Sequence, residues 1–230
     1  MLSINRLLTL LLLVCLPWIC QADTAIVVGQ PPVVAGADCV TCEDFEGTGA
    51  PTNWTNTITS WDYTTAPAPL EAAQSARLRP TETTTYDPSY ASANTWWGVW
   101  FAWNQAIENT EVFAQVQSSA PAVIATFSFV VTNNDFTCLA AGGTANTGGT
   151  FPNDTSTMKI KLQYVQGSGS NAAARLWTWN GSGWDLQCES TNGTSTAAID
   201  SVVFTNGANT EELIMDVFKD KQSDITSPDL

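Results

Sequence analysis

The stretch N-T-W-W-G-V-W-F-A-W-N, residues 94–104, decides the fold; four of the chain's ten tryptophans lie in it. Gly98 at its centre and the absence of a 3.6-residue period argue against a helix. Read as a strand, its side chains divide by parity between two faces. Trp97, Val99, Phe101 and Trp103 make one face, wholly apolar. Asn94, Trp96, Gly98, Trp100, Ala102 and Asn104 make the other, with large rings alternating with small residues and an amide at each end. Such a strand suits the middle of a sandwich, one side in the core and the other facing a groove.

The segments around it repeat the strand pattern. Residues 158–166 alternate Met158, Ile160, Leu162 and Tyr164 with Lys159, Lys161 and Gln163, a half-buried strand. Residues 173–179 and 184–189 flank Asn180-Gly181-Ser182-Gly183, a hairpin signal. Trp177, Trp179, Trp184, Leu186 and Cys188 share that hairpin's more apolar face, which is expected to be core. Residues 110–117, 122–132, 197–204 and 213–218 read as further strands. Residues 81–92 and 137–154, rich in Thr, Asn, Gly and Pro, read as exposed loops. Short strands at regular spacing and no amphipathic helix predict an all-β fold, an antiparallel two-sheet β-sandwich or jelly roll.

Residues 1–22 read as an export signal: Arg6, an apolar run to Ile19, and Cys20-Gln21-Ala22 as a small-residue cleavage site. Residues 23–38, with Pro31 and Pro32, read as a linker; residues 39–222 as one sandwich domain; residues 223–230 as a polar tail. No later run is apolar enough to span a bilayer. The expected location is secreted or cell-surface. Of eight basic residues, Arg6 falls in the leader, which leaves seven against twenty-two acidic ones, with no histidine anywhere. That balance excludes nucleic acid as a partner. Arg77, Arg79 and Arg175 are too scattered in sequence to suggest an anion site. Without histidine the commonest general base and transition-metal ligand are missing.

Cys39, Cys42, Cys138 and Cys188 remain after cleavage, an even number in an exported chain, and predict disulfides. The favoured pairing is Cys39 with Cys42 and Cys138 with Cys188.

The order of features resembles the concanavalin A-like lectin and glucanase superfamily, in its laminin-G-like branch. The resemblance rests on four places: Asp44-Phe45-Glu46-Gly47 with Trp54; Trp61-Asp62-Tyr63 with Pro69-Leu70-Glu71 and Ser75-Ala76-Arg77-Leu78; residues 159–163 with the 176–184 hairpin; and Ile214-Met215-Asp216-Val217-Phe218. It departs from the family at Ala72, where glycine is frequent. It implies a sandwich that binds glycans and in some members cleaves them. It also implies a structural calcium ion between first and last strands, at Glu46 and Asp216.

Hydrolases of that kind carry clustered carboxylates on one strand, and lyases use histidine with Tyr and Arg. Here only Asp44 and Glu46 share an i, i+2 spacing, so the expectation is that the chain is not an enzyme. The expected binding residues are Trp96 and Trp100, ~13 Å apart along an extended strand, as platforms for sugar rings. Asn94 and Asn104 are expected to orient hydroxyls. The competing expectation is that a loop such as 137–154 covers these tryptophans. The leading functional expectation is an exported, non-catalytic, lectin-like domain with a glycan partner. The alternative is a structural or adhesive protein that self-associates or binds a surface protein through 23–38; a hydrolase or lyase comes third.

Overall fold

The computed structural model describes residues 41–47, 49–56, 63–64, 70, 74–88, 94–153, 156–207 and 211–228. Residues 1–22, read as an export signal, residues 23–38, read as a linker, and Cys39 lie outside them. The described residues form fifteen strands and no helix, so no helix among them is long and apolar enough to cross a membrane.

Every strand pairing is antiparallel, and the strands form two sheets. The larger has the order β13 (Trp184–Gly193), β12 (Ala172–Trp179), β11 (Met158–Val165), β6 (Asn94–Trp103), β15 (Leu213–Lys221), β4 (Ser75–Leu78) and β3 (Tyr63–Thr64). β1 (Thr41–Glu43) joins it alongside the C-terminal half of β15. The smaller sheet runs β10 (Asn146–Gly148), β9 (Asp135–Ala140), β8 (Val123–Val130), β7 (Glu111–Gln117), β14 (Ser201–Thr205), β5 (Thr83–Tyr86) and β2 (Trp54–Asn56). This is a jelly-roll β-sandwich, as the alternating sequence pattern predicts.

β6 is a central strand, paired with β11 on one side and β15 on the other. Its apolar face is core: Trp97, Val99, Phe101 and Trp103 are each at most 1% exposed. Rings fill the space between the sheets. Phe129 stacks on Phe113 at 4.4 Å and meets Trp103 and Phe151 edge-on, both at 4.7 Å. A second knot joins Trp54 to Phe45, Phe204 and Phe218.

The two segments read as loops contain strands. Thr83–Tyr86 is β5, with Thr84 and Tyr86 buried, and Asp135–Ala140 is β9, with Phe136, Cys138 and Ala140 buried. Polar composition hid both, although threonine suits a pleated sheet. Segment 141–150 closes the sandwich edge rather than lying over β6. There Ser190 Oγ donates to the Thr144 carbonyl at 2.7 Å, and Glu189 N–H donates to Asn146 Oδ1 at 3.1 Å. Cys138 and Cys188 form the expected disulfide, which links β9 of one sheet to β13 of the other. Cys42 is also disulfide-bonded.

The hairpin tryptophans are not core. A bulge at Gln187 shifts the register, so that Leu176 pairs with Cys188 but Trp177 pairs with Leu186. Cys188 therefore points inward at 2% exposure while Leu186 points out at 50%. Trp177, Trp179 and Trp184 are half-buried, on the outside of the larger sheet.

β15 also carries a register shift, between Asp216 and Lys219, where Val217 has φ 47°. Here β15 changes neighbour from β4 to β1. Asp216 steadies the turn: its Oδ1 accepts from the Val217 N–H at 2.9 Å and its Oδ2 from Ser75 Oγ at 2.8 Å.

Candidate functional site

Because the core face of each strand is fixed, register places the outward side chains of the larger sheet in rungs. One rung runs Asp216, Trp100, Lys159, then across β12 to Trp179 and Trp184. The next runs Lys219, Gly98, Lys161, Trp177, Leu186. The third runs Lys221, Trp96, Gln163, Arg175, Glu189. Tryptophans and cations thus interleave over five strands. The chain has four lysines, Lys159, Lys161, Lys219 and Lys221, and all of them lie on this face with Arg175. Scatter along the sequence hid this grouping; pairing of β15, β6, β11 and β12 produces it.

The centre is Lys161, only 3% exposed. Its Nζ lies 4.8 Å from the ring centre of Trp177 and 5.1 Å from those of Trp96 and Trp184. Indole faces attract an ammonium electrostatically, but they do not replace a counter-ion. The counter-ion is Asp224, whose Oδ1 accepts from Lys161 Nζ at 2.7 Å, and the Ile225 carbonyl accepts from it at 3.3 Å. Residues 223–228, read as a polar tail, therefore lie on the sheet. Ile225 is 2% exposed and sits on Gly98: a Cβ there would meet Ile225 Cδ1 at 3.3 Å. Further along, Lys219 Nζ donates to the Ser227 carbonyl at 3.2 Å.

The expected platform residues divide accordingly. Trp96 is half-buried, its ring 5.2 Å from that of Trp177. Trp100 is 8% exposed under Lys159, whose Nζ stands 3.9 Å from its ring centre. What fills the gap between the two tryptophans is Ile225, not residues 137–154. Asn94 lies on the third rung's margin, where its Oδ1 accepts from Gln163 Nε2 at 2.6 Å. Gln163 Oε1 in turn accepts from Arg175 Nη1 at 2.9 Å, and Arg175 pairs with Glu189. Asn104 lies apart, past the end of β6, where it exchanges hydrogen bonds with Glu212. The indole N–H groups of Trp96, Trp100 and Trp184 are buried and find no acceptor among the described residues. The indoles of Trp97 and Trp103, inside the core, are in the same condition, so the missing acceptors are not peculiar to this face.

Beside Lys159 and Trp179 the face opens into a cavity of about 240 Å³, lined also by Thr150, Pro152, Thr157, Met158 and Thr178. That is below the ~300–1,000 Å³ of pockets for drug-sized ligands.

The expected calcium pair stands elsewhere, where β4 begins. Glu46 Oε1 accepts from the Gln74 N–H at 2.9 Å, and Asp216 from the neighbouring Ser75. Among the described residues no group of three or more His, Cys, Asp or Glu side chains gathers to hold a metal ion. Glu43, near this edge, has its carboxyl pushed above the ordinary range by burial, against the lowering effect of the hydrogen bond from the Phe45 N–H.

No family model and no curated protein sequence matches the chain. Solved structures do. An endo-β-1,4-glucuronan lyase from the fungus Trichoderma reesei is similar with a TM-score of 0.60 at 10% identity, over 84% of this chain and 100% of that one. A family GH43 glycoside hydrolase, engineered for endo-xylanase and exo-arabinofuranosidase activity, has a TM-score of 0.51 at 12% identity over 86% of this chain. This chain spans 43% of that hydrolase's length. The chain shares its sandwich fold with the lyase and with part of the hydrolase. The expectation that it is not an enzyme is corrected by this: the same fold, over its whole length, is that of an endo-β-1,4-glucuronan lyase.

Proposed function

We propose that the protein is an exported member of the concanavalin A-like kind that binds a glycan chain along the outer face of its larger sheet. The observation that carries the reading is the row of half-buried tryptophans on that face, Trp96, Trp177, Trp179 and Trp184. Sugars offer apolar C–H faces for the rings. The open cavity beside Trp179 receives one end of the chain, and Trp96 and Trp177 lie under its continuation. Export is supported by the Cys138–Cys188 bond, which persists in oxidising compartments.

The test is calorimetric titration of the mature protein with a panel of soluble polysaccharides, followed by release of reducing or unsaturated ends. Binding is expected, and Trp179→Ala with Trp184→Ala should weaken it about tenfold, the worth of two lost stacking contacts. Failure of every polysaccharide to bind overturns the reading, as does a double variant that binds as well as the parent. Release of ends would identify the binder as an enzyme.

Structural calcium at Glu46 and Asp216 is a separate proposal. It expects a chelator to lower the melting temperature and calcium to restore it; a melting curve indifferent to both overturns it.

A further inference from the structure

We infer that the glycan taken by this face carries carboxylates, and that residues 223–228 are a displaceable stand-in holding its place. The inference rests on the glycan-binding reading above and names the substrate class.

Charge comes first. The chain's net charge is −14, yet all four of its lysines, with Arg175, are turned to one face. Carboxylates already answer part of this charge: Glu189 pairs with Arg175, Asp224 with Lys161, and Asp216 stands on the first rung. Cations still outnumber them on the face, which suits an anionic partner.

The structure shows what kind of anion. At the centre Lys161 is buried under three indoles, and a buried ammonium is costly without a partner. The partner is a carboxylate, Asp224, next to an apolar side chain, Ile225, seated on Gly98 between Trp96 and Trp100. A uronic acid unit presents the same two features, a carboxylate on one edge and an apolar C–H face.

The tail matches the face only in part. It satisfies the ammonium and fills the space over Gly98, but it leaves the half-buried rings of Trp177, Trp179 and Trp184 without a stacking partner from the tail among the contacts of residues 223–228. It adds no strand to the sheet. A carboxylated glycan exchanges one carboxylate for another at Lys161, so the charge balance is kept, and its C–H faces supply the stacking. Its apparent affinity is reduced by the fraction of molecules whose tail is seated.

The experiment compares the mature full-length protein, Asp224→Asn, and a form ending at Ser223. Each is titrated with hexagalacturonate, a sulfated heparin hexasaccharide and neutral cellohexaose, with circular dichroism and thermal melting as folding controls. Hexagalacturonate should bind best. The truncated form should bind it about tenfold more tightly than the full chain, as expected for a seat occupied roughly nine times in ten, with Asp224→Asn between them. Equal affinity in all three proteins overturns the stand-in. Cellohexaose or the sulfated probe binding as well as hexagalacturonate overturns the carboxylate assignment while leaving glycan binding intact. No binding of any probe by the folded truncated form overturns the glycan reading itself.

Discussion

Lys161 and Asp224 are unequal partners. The lysine side chain is 4% exposed and the aspartate 54%. Removing the aspartate leaves a buried ammonium among three rings, whereas removing the lysine leaves a carboxylate already half in water. Asp224→Ala is therefore expected to cost about 1 kcal/mol, discounted for the exposed partner, and to lower the melting temperature by ~2–4 °C. Lys161→Met, which keeps the stem packed on the indoles, should change it less. Scanning fluorimetry checks this, and equal losses would show that the buried ammonium is not the governing group. Glu43 gives a prediction of opposite sense. Burial raises its pKa in the folded state, so the folded protein holds its proton more tightly than the unfolded chain does. Stability then falls as pH rises from the ordinary value of 4.5 through the raised one, and is regained on acidification. Glu43→Gln, which keeps the acceptor for Phe45, should stabilise the protein at neutral pH. The gain should vanish in acid; denaturant melts across that range measure it, and a gain independent of pH would contradict it.

At the scale of elements, β6 was readable because its parity is unbroken: from Trp97 to Trp103 one face is wholly apolar and goes inside, and only Thr95, also buried, adds a hydroxyl to it. The hairpin was readable as a hairpin but not as to its faces. Trp184, Leu186 and Cys188 share parity, and only the extra residue at Gln187 separates the cysteine from the other two. A one-residue bulge leaves little trace in a periodic pattern. The lysine-bearing side of β11 held a usable signal, since pairing puts Trp177 beside Lys161 rather than beside Leu162. That pairing is not local information. The C-terminal segment was unreadable for another reason: one isoleucine among polar residues has no period, and its seat on Gly98 is distant in sequence. The element that ties the layers together is the Cys138–Cys188 bond, with a sequence separation of 50. Closing a loop of that size restricts the unfolded chain enough to stabilise by about 4 kcal/mol in the chain-entropy account. The double variant Cys138→Ala, Cys188→Ala should lose roughly that amount in denaturant unfolding; a loss under about 1 kcal/mol would place the stabilisation elsewhere.

On the scale of the molecule, charge is segregated. A chain of net charge −14 would be expected to repel acidic polymers. Its cationic face reverses that locally, within a Debye length of ~8 Å at physiological ionic strength. Binding of an acidic polysaccharide should therefore weaken steeply between low and high salt, while binding of a neutral one should hardly change. Titrations at several salt concentrations decide this, and identical salt dependence for both would remove the electrostatic role of the face.

The same grouping of lysines has a practical side. Every side-chain amine of the chain stands on one sheet face. With the α-amino group blocked, a support activated to react with amines would take hold of the protein by that face, so the immobilised molecules would share one orientation and have their tryptophan rungs turned toward the matrix. Coupling through the plentiful acidic groups would attach the molecules in many orientations and leave those rungs facing the solution.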